Sequence, residues 1–333
     1  MTGRALLGGL ALVVLGLLAW ELRWVLLVLF GAVVLAVALD VPIAWLRQLV
    51  PFGRPLALLV VLLVLVITGV GLSQLLVPEL VDQVRQLTEL VPALALRLSR
   101  LGGQLSWFPD GEQQLFSSET WDRLQPLGVQ VLGLAGGAAS SSIQLLLMAL
   151  LAILLALDPR SHQRLVIAMT PGFWRPQMQE LLAKCREALG GWLAGMTISA
   201  VSVFLLTWGG LSLLGVPLAL LSGLVCGLLT FVPTIGPTAA SLLPLAVALL
   251  VSPAKVLQVL VVRLVLQNAE AFLLTPLLLS RTVNLLPTVA LMAQLSLGAL
   301  LGLPGLLLAL PLVVVLQVIF EQVVVKEVMD PWT

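Results

Sequence analysis

Apolar residues run along this chain a helix length at a time, with polar residues gathered into a few stretches between them. The runs are Ala5 to Trp20, Val25 to Leu39, Pro55 to Val77, Val129 to Leu157, Gly190 to Leu214, Ala254 to Leu279, Leu285 to Leu301 and Pro304 to Val325. They are continuous and rich in Leu and Ala, without the ten-residue alternation and aromatic girdles of a transmembrane barrel. The pattern predicts an all-α polytopic membrane protein of about eight transmembrane helices.

One stretch departs from the others. Between Val216 and Val251 two apolar runs flank Phe231-Val232-Pro233-Thr234-Ile235-Gly236-Pro237-Thr238, with no Asp, Glu, Lys, Arg or His throughout. Each proline lacks an amide donor and restricts the residue before it, so the helix must break here. Each half has about 15 residues, roughly 22 Å of helix, against a hydrocarbon core of roughly 30 Å. A re-entrant pair of half-helices or a discontinuous span is the expected result. Backbone freed at membrane depth has to be buried in protein or face water, so Pro233, Thr234, Gly236, Pro237 and Thr238 are candidates to line a solute or ion path. The alternative is a proline kink that serves packing alone.

The polar stretches set the order of segments. Residues 1–77 hold N-terminal transmembrane helices, the first read as a retained span because no small-residue cleavage site follows Trp20. Residues 42 to 54 read as an amphipathic connector carrying Trp45, Arg47 and Arg54. Residues 78–126 form an amphipathic extramembrane segment with breaks at Pro92, Gly102-Gly103 and Pro109-Asp110-Gly111. In it Leu80, Val84, Leu87, Leu90 and Val91 recur at helical spacing opposite Asp82, Arg85 and Glu89. Residues 127–157 hold one transmembrane helix, 158–188 a connector, 189–325 a C-terminal bundle with broken helices, and 326–333 a tail. The connector from Asp158 to Glu187 carries five Lys or Arg against three carboxylates, which places it in the cytoplasm by the positive-inside rule. Counting spans from it puts both termini in the cytoplasm and residues 78–126 outside. Pro287, Pro304 and Pro311 mark a possible second interrupted unit, and glycines four apart at 133/137, 191/195, 223/227 and 298/302 predict close helix packing.

Composition sharpens the class. Hydrophobic residues make up 60% of the chain and charged residues 10%, with a formal net charge of +1. That balance excludes a soluble globular protein and a nucleic-acid binder working by bulk charge. Cys185 and Cys226 have no metal-ligand spacing and read as small buried apolar residues, and His162 sits alone in a polar loop, so neither a metal site nor a cofactor is expected. Intramembrane paired aspartates, a zinc-protease motif, a nucleophile elbow and a phosphate-binding loop are all missing from the sequence. An enzyme is therefore not expected, and transport would run on a gradient.

Ions inside an apolar run are the remaining signal. Arg263, Gln267 and Glu270, at i, i+4 and i+7, share one face of the run from Ala254 to Leu279. Arg263 and Glu270 lie about 10 Å apart along that helix, too far to pair directly. Charge at this depth costs at least about 2.5–3.5 kcal/mol, which marks either a functional pathway or a structural interhelical ion pair.

Several of these elements together resemble a known family. The run Phe231 to Pro237, then Gln267-Asn268-Ala269-Glu270 with Thr275-Pro276, Leu286-Pro287, Gly302-Leu303-Pro304-Gly305 and Ala309-Leu310-Pro311 follow the order seen in the autoinducer-2 exporter (AI-2E) family of bacterial permeases. The resemblance covers most of the chain. It implies an inner-membrane secondary transporter of roughly eight helices, homo-oligomeric, exporting a small polar organic signalling-type molecule. Other members resemble sodium or lithium/proton antiporters. Leu286 stands where the family often has histidine, and Met196 where glutamine is frequent, which removes a titratable group and a potential ligand. Three readings follow: solute export past the break, with Arg263, Gln267 and Glu270 shaping the path; cation/proton antiport at Glu270; and a non-transporting membrane scaffold. The partners these readings call for are the lipid bilayer, a small-molecule or cation substrate, and further copies of the chain.

Overall fold

The computed structural model describes residue 14 and residues 16–18, 20–104, 138–232, 236–274 and 286–329. Among them the chain is helical, without strands. In order, α1 is Arg23–Leu49, α2 Arg54–Gln104, α3 Ala138–Leu157, α4 Pro159–Met169, α5 Arg175–Leu213, α6 Ala219–Leu229, α7 Gly236–Val251, α8 Pro253–Ala269 and α9 Pro287–Ile319. A π-helical turn, Glu270–Leu274, follows α8, and another, Phe320–Met329, follows α9. By length and composition four helical stretches among the described residues could cross a membrane: Arg23–Leu49, Arg54–Leu94, Gly172–Leu213 and Pro287–Val325, the last counted across a break at Gly302. Ile143–Leu157 and Pro159–Met169 meet at a bend of 89°, and they make a fifth candidate only when the pair is counted as one broken span. The protein is an all-α, multi-pass membrane protein.

Helix limits differ from the sequence expectation in an instructive way. The ends expected at Leu39 and Val77 are passed without interruption, because α1 runs through Pro42 and α2 through Pro78 and Pro92. A proline inside a helix removes one hydrogen bond but need not end it when neighbouring turns are held. Likewise α5 begins at Arg175, well before the apolar run that opens at Gly190. The breaks proposed at Gly102-Gly103 and Pro109-Asp110-Gly111 fall at the end of α2 and outside the described residues respectively.

The chain divides into two compact units. The first comprises residues 1–61, 141–193 and 283–333. Its buried residues include Gly31, Ala32, Val34, Ala36 and Ile43 of α1 and Ala309, Leu310, Val313, Val314 and Val318 of α9, two helices that pack together. A Cβ on Gly31 would strike the side chains of Met148 and Leu308, so the missing side chain lets three helices meet. Asp40 joins three elements, accepting from Arg54 at 2.6 Å and also from Arg186. The bend at residue 158 has a local cause. Asp158 caps α4 by accepting from the Ser161 amide at 3.2 Å and its hydroxyl at 2.6 Å, and Pro159 opens the helix.

Within α9 the backbone leaves helical geometry at Gly302, where φ is 63°. Residues eight apart in a straight helix lie about 12 Å apart along its axis. Here a Cβ on Gly305 would lie 2.2 Å from the Leu297 carbonyl oxygen, so the chain doubles back at Gly302. The proline-marked region is thus a second interrupted unit, folded at a glycine rather than at Pro304.

The second unit comprises residues 62–140 and 194–282. Here α6 and α7 form an antiparallel hairpin. The Cys226 thiol reaches the Ala240 carbonyl at 3.3 Å, while Leu218 and Ala219 share one buried cluster with Val247 and Ala248. Eleven and sixteen residues long, the two helices measure about 16 and 24 Å, each short of a full crossing. Gly223 and Gly227 bring α6 against α5, since a Cβ on either would lie within 3 Å of Trp208 or of the Ala200 carbonyl. Leu80, Val84, Leu87 and Leu90 of α2 pack on the open end of the hairpin, so the greasy face read from the sequence has found its cover.

Candidate functional site

Chemistry gathers in the second unit where the closed end of the hairpin meets α5 and α8. Gly236 opens α7, donating its amide to the Val232 carbonyl at 2.7 Å. A Cβ here would fall 1.9 Å from the Leu229 carbonyl oxygen, so only glycine lets the returning helix of the hairpin pass this close. One turn on, Ser241 donates to the Pro237 carbonyl at 2.9 Å. Pro237 is half-buried and Thr238 is exposed. Pro233 and Thr234 lie outside the described residues.

Two members of the ion-bearing face of α8 converge on that carbonyl. Gln267 donates its amide to Pro237 O at 2.9 Å and to Ser241 Oγ at 3.3 Å. Arg263 is 3% exposed, and its guanidinium spreads over three neutral acceptors. Nε donates to Ser241 Oγ at 3.1 Å, one terminal nitrogen to Thr207 Oγ1 at 3.2 Å and the other to Pro237 O at 3.3 Å. The planar fork suits this, holding three separate oxygens that a lysine could not reach together. Among the described residues Arg263 has no carboxylate ion partner, so its burial depends on hydroxyls and a backbone carbonyl.

Glu270 takes a different partner. It sits where α8 gives way to the π-helical turn, half-buried, and accepts from Ser199 Oγ of α5 at 3.0 Å. Rewinding of this kind recurs at functional positions because it re-aims a side chain without ending the helix. Ser199 and Thr207, eight residues apart on one face of α5, therefore serve Glu270 and Arg263 in parallel. Neither they nor Ser241 stood out in the sequence. Their signal was faint: lone hydroxyls on apolar helices at helical spacing.

The open end of the hairpin is tied by residues from another part of the chain. Gln83 of α2 is buried and accepts from the Leu221 amide at 2.8 Å, while donating to Glu79 at 2.7 Å. Leu221 lies in the first turn of α6, whose N-cap Leu218 has left-handed geometry and no side chain to offer. Arg97 donates to the Leu250 carbonyl at 2.8 Å, at the C-terminus of α7. Lys255 of α8 donates to the Leu214 carbonyl just past the end of α5.

A model of the AI-2E transporter family matches residues 10–325. The chain belongs to that family. It is 27% identical over 289 residues to the "Putative transport protein sll0060" of Synechocystis, covering 83% of this chain and 82% of that protein. With the "Putative transport protein YrrI" of Bacillus subtilis it shares 28% identity over 161 residues, 48% of this chain and 46% of that one. With the AI-2 transport protein TqsA of Escherichia coli it shares 27% over 187 residues, 55% of this chain and 53% of TqsA. In YrrI and TqsA the match thus spans about half of the relative's length. That family is one of transporters.

Proposed function

We propose that this AI-2E family transporter exports a small polar organic solute across the bacterial inner membrane, along the face where the hairpin break meets α8. In this reading it is a secondary transporter rather than an enzyme, works as a homo-oligomer and holds the basic 158–188 connector in the cytoplasm. The supporting observation is the convergence of Arg263, Gln267 and Ser241 on the Pro237 carbonyl. A buried guanidinium and an amide fix the lip of a broken helix, which is how interrupted helices present polar groups at membrane depth. Glu270 stands beside them as the titratable group.

Antiport of a cation against protons is the second reading, and a specific observation favours it. Glu270 has the Ser199 hydroxyl and no cationic ion partner among the described residues, so a proton or sodium ion could exchange there. Flux in proteoliposomes separates the two. Solute efflux that is independent of sodium and lost in Glu270→Gln supports export. A sodium-driven pH change lost in that variant supports antiport. Wild-type flux of either kind in Glu270→Gln removes Glu270 from both.

A further inference from the structure

A cleft of about 630 Å3 opens in the first unit between the C-terminal half of α1, α4 and the start of α5. Sites for small molecules run from roughly 300 to 1,000 Å3, so this one has room for a metabolite. Three charged side chains line it: Asp40, Arg186 and Glu187. Asp40 is already engaged, one oxygen by Arg54 at 2.6 Å and the other by Arg186. Arg54 in turn gives its Nε to the Ala156 carbonyl at 2.8 Å.

What remains is one partner of each sign. Arg186 keeps donors beyond the one given to Asp40, because a guanidinium carries five. Glu187 has no ion pair among the described residues. The charges of Asp40, Arg54, Arg186 and Glu187 cancel, yet a neutral ligand would meet neither the remaining donors of Arg186 nor the Glu187 carboxylate, and a simple ion would meet only one of them. Trp45, 64% exposed, also lines the cleft, and an indole face attracts an ammonium. Amides of Gln48, Gln163 and Gln179 supply further donors and acceptors.

We infer that this cleft binds a small free zwitterion of the amino-acid or betaine type, its carboxylate at Arg186 and its ammonium between Glu187 and Trp45. The cleft lies wholly in the first unit, so the inference does not rest on solute passage at the hairpin.

The test uses the full chain in phosphatidylglycerol nanodiscs, whose lipid has no ammonium group, titrated calorimetrically with glycine betaine. Choline and acetate serve as half-ligands. Saturable betaine binding is expected, at least about tenfold tighter than either half. Glu187→Gln should weaken betaine about tenfold and leave acetate unchanged, and Ala183→Trp, which fills the cleft, should abolish binding while the protein stays helical and monodisperse. The inference is overturned by a wild-type chain that ignores betaine, by choline or acetate binding as tightly, or by binding that survives Ala183→Trp. Loss of betaine binding in phosphatidylethanolamine nanodiscs alone would give the site to a lipid headgroup instead. Betaine binding without flux would leave this inference standing and remove the export reading; flux without betaine binding does the reverse.

Discussion

The side-chain carbonyl of Gln83 accepts the Leu221 amide at 2.8 Å across 138 residues of sequence. A helix N-terminus leaves its first amides without intrahelical partners, and Leu218 cannot cap them. The amphipathic part of α2 therefore completes a helix of the hairpin as well as covering its apolar end.

Gln83→Leu leaves the Leu221 amide buried and unpaired, which costs about 1–3 kcal/mol. We expect a clear fall in melting temperature in detergent, whereas Asp82→Ala, at an exposed neighbour, should stay within about 0.5 kcal/mol of wild type. Equal melting temperatures for the two would show that the contact contributes nothing.

Gly236→Ala places a Cβ 1.9 Å from a backbone oxygen, so backbone rather than a flexible side chain has to move. We expect lower thermal stability and at least a tenfold loss of flux. Gly69→Ala, with nothing within 4 Å of the added carbon, should leave both unchanged. Normal flux in Gly236→Ala would mean that the close passage at the break has no part in transport.

Arg263→Lys keeps the charge but cannot serve Thr207, Ser241 and Pro237 at once. Hydrogen bonds to a charged group contribute about 1.5–3 kcal/mol each, so losing one or more should lower the melting temperature and reduce flux severalfold. Full activity in the lysine variant would show that charge alone matters there.

Asp158 sits at the bend between α3 and α4, outside the four helices long enough to cross by themselves, and its carboxyl is held below the ordinary range first by the Ser161 hydroxyl, then by the Ser161 amide. Its folded form thus favours the carboxylate. The capping contribution is present above the ordinary aspartate pKa of about 3.9 and is lost as pH falls through the lower folded value. Amide hydrogen exchange at the start of α4 should be slow at neutral pH and speed up in acid, beyond the intrinsic change. Asp158→Ala should exchange fast at both. A wild-type profile in that variant would remove the cap as the cause of the bend.

Part of the site was legible before any coordinates. Arg263, Gln267 and Glu270 fell on one face by spacing alone, and Gly236 and Pro237 stood at an unavoidable break. What each touches was not legible. Arg263 turned to hydroxyls rather than a carboxylate, and Glu270 to α5, because partners from distant helices are selected by packing that no local pattern encodes. The prolines were over-read for a related reason. Pro42, Pro78 and Pro92 sit inside helices, since losing one hydrogen bond is small beside the turns on either side. At Gly302 the chain folds back because its φ of 63° lies in the region that glycine alone enters at little cost.

Long apolar runs determined by themselves that this chain is helical and membrane-embedded, because lipid leaves a backbone no partner but itself. Charge excluded from those runs, and readmitted at Arg263 and Glu270, determined where to look for function. Only tertiary structure decided that α6 and α7 fold into a hairpin, that Gln83 caps it, and that Asp40 binds two arginines while Glu187 has no ion pair among the described residues. Those outcomes join residues far apart in the chain, and their energies depend on distances set only when helices pack.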